Sequence, residues 1–371
     1  MQHTAEQTER SGGILDLLTT GPLRIAVSFV VPVVAFLALR QSFIFMRDVD
    51  ADKVLIAIVA LIVGVVGVWV LYLVTDNLVS VFPARFRETL RPFVFVGPAL
   101  VILGLYLVYP TILTIYLSFF GPRSAEFIGI DNYVALFTRP EMLIALRNNV
   151  LWLVFVTSFV VSLGLVIAVM VDRIGRWEPV VKSIIFLPMA ISAVGASVIW
   201  KFVYSFQPVP RPQIGLLNAI VTALGGEAQG WLILRPLNNF LLIAIMIWIL
   251  TGLAMVVISA AVKSVPSELL EAARIDGANE ITIFFRVIIP SIRGTLITIT
   301  TTVLIMVLKV FDIVYVMTNG QHETEVVANR MFREMFVFRN FGQGSALAVL
   351  LFLAVIPIMI YNVRSFREGR S

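Results

Sequence analysis

Residues 263–291 read KSVPSELLEAARIDGANEITIFFRVIIPS and place seven charged side chains between two long apolar runs. Charges are costly in hydrocarbon, so this stretch belongs on an aqueous face. Pro266 suits the first position of a helix, and Glu268 suits its first turn, where the helix dipole favours an anion. Leu269, Leu270, Ala273 and Ile275 supply apolar positions, Arg274 sits near the far end, and Gly277 suits a left-handed stop. Asn279 suits the cap of a second helix carrying Phe284, Phe285, Ile288 and Ile289, and Pro290 breaks the pattern. The spacing predicts a helix–turn–helix at the membrane surface. Its first helix is rich in small residues that let another surface approach. Such a segment could transmit force to a partner; from composition alone it reads equally as a connector between spans.

Other polar groups lie inside apolar runs. Lys309 and Asp312 are three apart, which puts them on one helix face. They read either as a polar point on a translocation path or as a boundary pair with Lys309 reaching outward. Lys309 stands 17 residues beyond Ile292, about 25 Å along a helix. Lys201 has the same outward reading. Trp248, Thr251, Tyr315 and the threonines Thr298, Thr300, Thr301 and Thr302 could line a pocket for a polar solute, or serve as packing and helix–helix contacts. The chain has no cysteine, and its histidines are His3 and His322, so thiol chemistry and histidine-rich metal sites are excluded. It contains no GxxxxGK[ST], GxGxxG or HExxH. Its acidic residues cluster on loops, which argues against a carboxylate proton relay. The reading is a chain that catalyses no bond chemistry and binds no cofactor or metal.

These groups sit in a chain of 371 residues that is 59% apolar and 14% charged, with a mean hydropathy of +0.96. Soluble domains carry about 25% charged residues, so this is a membrane chain. The net charge of +5 reflects basic residues flanking apolar spans, not a nucleic-acid partner. A span needs about 20 apolar residues. Eight runs meet or approach this: 23–39, 54–74, 93–120, 150–171, 183–206, 240–262, 292–318 and 345–363. Backbone groups in lipid must bond internally, so all eight are expected to be helices, kinked at their prolines. The fold class is an all-α polytopic membrane protein with about eight transmembrane helices. With the N-terminus inside, the inner segments hold fifteen Lys and Arg against eleven outside, which places both termini in the cytoplasm. The polar start, 1–22, reads as a cytoplasmic tail without a signal-peptide pattern. Residues 23–92 hold two accessory spans, and 93–371 hold six.

The segment resembles the EAA loop of permease subunits of ATP-driven (ABC) importers. Glu271, Ala272 and Ala273 open it, Gly277 follows six residues after the glutamate, and Pro290 closes the apolar ending. Asp276 and Ala278 fit the family's Asp-Gly-Ala. Val287 and Ile289 depart from it conservatively. LKVFDIVYVMTNG (308–320), WILTGLAMVV (248–257) and FLPMAIS (186–192) resemble sugar-importer permeases of the maltose type, over about 93–371. After Gly320, Gln321 and His322 replace that group's usual TxGGP, which leans toward an α-glucoside branch. The resemblance implies an inner-membrane permease of a prokaryote that carries a sugar or oligosaccharide by alternating access. It implies a second permease subunit, two ABC ATPase subunits holding ATP and magnesium, and an extracytoplasmic sugar-binding protein. In this reading Glu271, Ala272, Ala273, Asp276, Gly277 and Pro290 couple the ATPase to the spans. Trp248, Thr251, Thr302, Lys309, Asp312 and Tyr315 are the candidates for the substrate path. The alternatives are an ABC permease for another polar solute such as an osmolyte, an ATPase-independent secondary transporter or channel, and a polytopic membrane enzyme.

Overall fold

The computed structural model describes residues 22–47, 52–80, 84–172, 174–208 and 210–368. The expected tail 1–22 lies outside them apart from Pro22. Every regular element among the described residues is helical, with an isolated antiparallel bridge between Phe120 and Phe127. The chain forms two compact units that meet between Thr111 and Ile112.

The first unit holds α1 (Pro22–Met46), α2 (Lys53–Ser80) and α3 (Ala84–Leu103), with α1 packed on α2 and α2 on α3. The helical run continues through a π turn, Gly104–Val108, into α4 (Tyr109–Leu117). Pro110 is the cause. It has no N–H for the carbonyl four residues back, and its ring crowds that carbonyl. The turn widens, and the Tyr109 amide reaches back five residues to Gly104 O.

The second unit follows with α5 (Asp131–Thr138), α6 (Pro140–Asp172), α7 (Glu178–Ala190), α8 (Ala193–Val203) and α9 (Leu216–Ala223). Then come α10 (Leu237–Lys263), α11 (Ser267–Ile275), α12 (Glu280–Ile283) and α13 (Ile289–Ser291). The last are α14 (Arg293–Leu308), α15 (Asp312–Met317), α16 (Val327–Phe332) and α17 (Phe341–Glu368).

Five of the expected runs are unbroken helices long enough to cross a bilayer: Lys53–Val70, Val96–Leu117, Pro140–Asp172, Leu237–Lys263 and Phe341–Asn362. Two of the others differ from expectation. The run 183–206 is broken, with 98° between Gly175–Ala190 and Ala193–Val203. Pro188 weakens the end of α7, and Ser192 starts α8 by accepting the Gly195 N–H at 3.1 Å. The run 292–318 is also not one helix. The spanning pair there is Glu280–Ser291 with Arg293–Leu308, bent by 72°. The run 23–39 lies within α1, a helix of 25 residues that carries Pro32 in its interior.

The core of the second unit is α6 against α10. Trp152, Val156, Val160, Gly164 and Ala168 recur every four residues on α6, and its four apolar side chains are fully buried. They face Leu242, Ile245, Met255 and Ile258 of α10. Two glycines set the spacing. A Cβ on Gly164 would stand 2.6 Å from Ala254 Cβ, and one on Gly252 would stand 2.6 Å from Ile185 O on α7. Close backbone approach is how helices associate where lipid removes the hydrophobic drive.

Gly252→Val is expected to destabilise the protein by about 1–3 kcal/mol through overpacking, seen as a lower unfolding midpoint in detergent. Gly64→Val, at a position with nothing within 4 Å of the added Cβ, should leave the midpoint unchanged. Equal midpoints for both variants would contradict the close contact.

Candidate functional site

The 263–291 segment folds as the helix–turn–helix its spacing predicts. Pro266 takes the capping position, one residue before α11 begins at Ser267. Gly277 adopts φ +81°, and the turn closes with Gly277 N–H on Arg274 O and Ala278 N–H on Ala273 O, both at 3.0 Å. This is the paired bonding of a glycine-stopped helix, with the half-buried Ala273 and Ala278 as its apolar contact. Nothing lies within 4 Å of a Cβ built on Gly277. The demand for glycine there is therefore conformational, not steric. Asn279 caps α12 by accepting the Thr282 N–H at 2.8 Å. Ahead of Pro290 the chain again widens into a π turn, Phe284–Ile288, and Ile289 N–H bonds Phe284 O.

The segment has two faces. Leu270, Ala273, Ala278, Phe284 and Val287 pack on the core. Glu271, Ala272, Arg274, Asp276 and Gly277 are exposed, as is Pro290. Ile275 and Ile281 stand 86% and 70% exposed. An apolar rim around a small-residue centre is a surface suited to docking. Arg274 Nε holds Glu280 Oε1 at 3.2 Å across the turn, with both side chains about half exposed, a geometry worth under about 1 kcal/mol. Beneath lies a cavity of about 420 Å³ lined by Asp172, Val262, Leu270, Arg274, Glu280 and Ile288.

The candidates for the substrate path fall into separate places. Lys309 and Asp312 do not share a helix face. Lys309 ends α14 at φ −102° and ψ 23°, Asp312 opens α15, and Val310 and Phe311 lie between. The break is tolerated because Asn149 Nδ2 donates to the freed Leu308 carbonyl at 3.3 Å. Both charged side chains are exposed. Tyr315, partly exposed, stacks on Phe311 with centroids 5.1 Å apart, and Phe332 packs edge-on to it at 5.4 Å. Trp248 meets Trp200 of α8 edge-on at 5.7 Å. Helices α8, α10 and α15 pack on one another, and Lys201 Nζ of α8 donates to Val316 O at 3.4 Å. Thr251 is buried, with its hydroxyl on Ile247 O at 2.6 Å. Thr302 is exposed on α14, with its hydroxyl on Thr298 O at 2.9 Å. Those two hydroxyls are committed to their own helices.

At the opposite ends of α6 and α10 the sequence reading passed over four buried asparagines. Asn148 Nδ2 donates to Glu323 O at 2.7 Å and Glu325 O at 2.8 Å. Asn149 Oδ1 accepts the Val327 N–H at 2.8 Å. Asn238 Nδ2 donates to His322 O at 2.8 Å, and Asn239 Nδ2 to Glu323 O at 3.0 Å. Together they clamp a turn in which Asn319, Gly320, His322 and Glu323 all have positive φ. Gly320 is needed there, since an added Cβ would lie 2.5 Å from Glu325 Oε1. Glu323 is held by Arg235 at 2.6 Å and Arg147 at 3.4 Å. The sequence signal was available: an Asn-Asn pair near the start of each of two apolar helices.

Residues 160–364 match the family described as binding-protein-dependent transport system inner membrane component. The chain is 60% identical over 273 residues to the osmoprotective compounds uptake permease protein GgtC of Synechocystis sp., covering 74% of this chain and 98% of that one. It is 46% identical over 329 residues to the alpha-glucoside transport system permease protein AglF of Rhizobium meliloti, covering 85% of this chain and 97% of that one. The latter share is more than 93–371 alone could supply, so that likeness reaches back into α2. In fold the chain is similar to a subunit of a bacterial ABC transporter involved in alginate import, with a TM-score of 0.66, 21% identity, and coverage of 76% of this chain and 99% of that one.

Asn148→Ala strands two buried carbonyls, which costs about 1–3 kcal/mol. Hydrogen exchange of the amides in 319–327 is expected to rise about tenfold or more. Unchanged exchange would mean the clamp does not hold the turn.

Proposed function

The chain belongs to the family of binding-protein-dependent transport inner membrane components, and within it we propose that its solute is a small, neutral, glucose-bearing osmolyte. The coarser function follows from the family: this is a multi-pass inner-membrane permease subunit of an ABC importer, and it is not itself an ATPase. The ATPase-independent transporter and the membrane enzyme are thereby set aside.

One observation carries the substrate reading. The 60% identity runs over nearly the whole of a permease named for osmoprotective compounds, and the 46% identity over one named for α-glucosides. A glucosylated polyol or small non-reducing glucoside satisfies both descriptions. The osmolyte alternative is therefore favoured over the maltose-type oligosaccharide. Side-chain chemistry supports a neutral sugar ring. Tyr315 and Trp248 offer faces to C–H groups, while Lys309 and Asp312 offer a donor and an acceptor to hydroxyls.

In this reading the exposed face of 271–277 docks on an ATPase subunit in the cytoplasm, and Pro290 marks where the segment returns to the membrane. Two ATPases carry the ATP and magnesium. A second permease subunit completes the pathway, and an extracytoplasmic binding protein delivers the solute to the end bearing the 318–327 turn. Residues 93–371 form the permease core, 23–92 add the two accessory helices, and both termini lie in the cytoplasm.

Two measurements test this. Gly277→Val forces a β-branched residue into the left-handed region, at a cost of about 1–2 kcal/mol or more. ATPase co-purified with the tagged permease is expected to fall about tenfold, with membrane insertion unchanged; Glu271→Lys should act in the same direction. Retention of the ATPase by both variants would dismiss the docking role. In proteoliposomes with the cognate binding protein, ATP-driven uptake is expected for glucosylated glycerol, sucrose or trehalose and not for maltotriose. Preference for maltotriose would restore the oligosaccharide reading.

A further inference from the structure

Five polar side chains from three helices meet where α10 hands over to the 263–291 segment. Glu178, the first residue of α7, receives Lys182 Nζ and Lys263 Nζ on the same oxygen, Oε1, each at 2.5 Å. Lys263, the last residue of α10, also lies 3.5 Å from Oδ1 of Asp172, the last residue of α6. Lys182 donates in addition to Ser259 Oγ on α10. The Glu178 and Lys182 side chains are only 15% and 20% exposed. Two anions and two cations balance; Glu178 at the start of α7 and Lys263 at the end of α10 suit their helix dipoles, while Asp172 at the end of α6 opposes its own and is offset by Lys263.

The position of this cluster matters more than its strength. Helix α11 begins four residues after Lys263. Farther along α10, Gly252 rests on the α7 backbone at Ile185 and Phe186. Gly252 and Lys263 are 11 residues apart, about 16 Å along the helix. Helix α10 is thus fixed to α7 at two separated points, and a rod held at two points cannot swivel about one. With Glu178 removed, the end of α10 would keep the Lys182–Ser259 hydrogen bond and the glycine contact to α7 but lose the tie that reaches Lys263, its last residue.

We propose that Glu178 is a positioning residue for transport, locking the end of α10 to α6 and α7 so that a push on the 267–283 segment moves the three helices as one body. Without this lock, motion delivered at Ser267 bends the 264–266 junction and the end of α10, and less of it reaches the solute path. The role differs from that of the Arg274–Glu280 pair, which is open to solvent on both sides. It also differs from that of Glu271 and Gly277, which lie on the docking face and do not touch the cluster.

The test uses the full transporter, with its second permease, ATPases and binding protein, in proteoliposomes. Solute transported per ATP hydrolysed is measured beside the amount of ATPase retained on purification. Glu178→Gln keeps the shape of the side chain and loses its charge, and Lys263→Met removes the cation. Each is expected to retain the ATPase and to lower solute per ATP on the order of tenfold, the effect of one charge-assisted hydrogen bond. The double variant should be no worse than either single one, since both break the same contact. Lys263→Arg keeps the cation and should stay close to wild type. Unchanged solute per ATP in Glu178→Gln and Lys263→Met would overturn the proposal. So would loss of the ATPase in step with transport, or a Lys263→Arg as impaired as Lys263→Met.

Discussion

Backbone contact without an intervening side chain governs this molecule. Gly252 of α10 lies against the carbonyl of Ile185, and Gly164 of α6 lies against Ala254. In lipid there is little hydrophobic gain from joining two apolar helices, so close packing must supply the attraction. The glycines bring the helix axes together, and the four-residue stripe from Trp152 to Ala168 can then bury completely. Helix α10 becomes the most enclosed span, 61% buried, while α6 and α17 each bury 28%. The asparagine clamp, the Glu178 cluster and the start of the 263–291 segment all hang on these two helices or on their ends.

Helices α6 and α10 run in the same direction, and each carries a polar group at both ends. Asn148 and Asp172 are 24 residues apart on α6, as are Asn239 and Lys263 on α10. At 1.5 Å per residue this is about 36 Å, slightly more than a hydrocarbon core of about 30 Å. The asparagines clamp the 318–327 turn at one end; Asp172 and Lys263 join the Glu178 cluster at the other. The clamped turn and the charge cluster are thus carried by the same pair of rods, and under the proposed function the first faces the solute side and the second the ATPase side. That is the mechanical requirement for alternating access, in which events on one side are felt on the other.

Broken helices are placed where something repairs them. The π turns before Pro110 and Pro290 widen the helix where a proline ring would crowd it, with Tyr109 N–H on Gly104 O and Ile289 N–H on Phe284 O. The break after Leu308 is repaired from a neighbouring helix by Asn149, and the break at Ile191 by the cap from Ser192. Irregular backbone at membrane depth is tolerated only where protein supplies such partners. The polar residues scattered through apolar runs therefore serve the backbone first. This is why Thr251 and Thr302 turn their hydroxyls onto their own helices.

Much of this was legible in the chain itself, because the signals were local. Length and apolarity identify a span, since each helix in lipid must satisfy its own backbone. A glycine six residues after Glu271 and an asparagine two residues later define the 271–279 turn, since left-handed φ and capping depend on immediate neighbours. What the chain could not disclose is where a helix stops for the sake of a distant partner. Lys309 and Asp312 look like one helix face until Asn149, some 160 residues earlier, takes the Leu308 carbonyl. Glu178 and Lys263 look like ordinary flanking charges until α6, α7 and α10 bring them together. The sequence alone determined the membrane class, the apolar segments and the glycine-stopped loop, because those follow from solvent and local backbone preference. Only the tertiary structure decided the breaks, the asparagine clamp and the charge cluster, because each is stabilised by a bond between residues that sequence distance keeps apart.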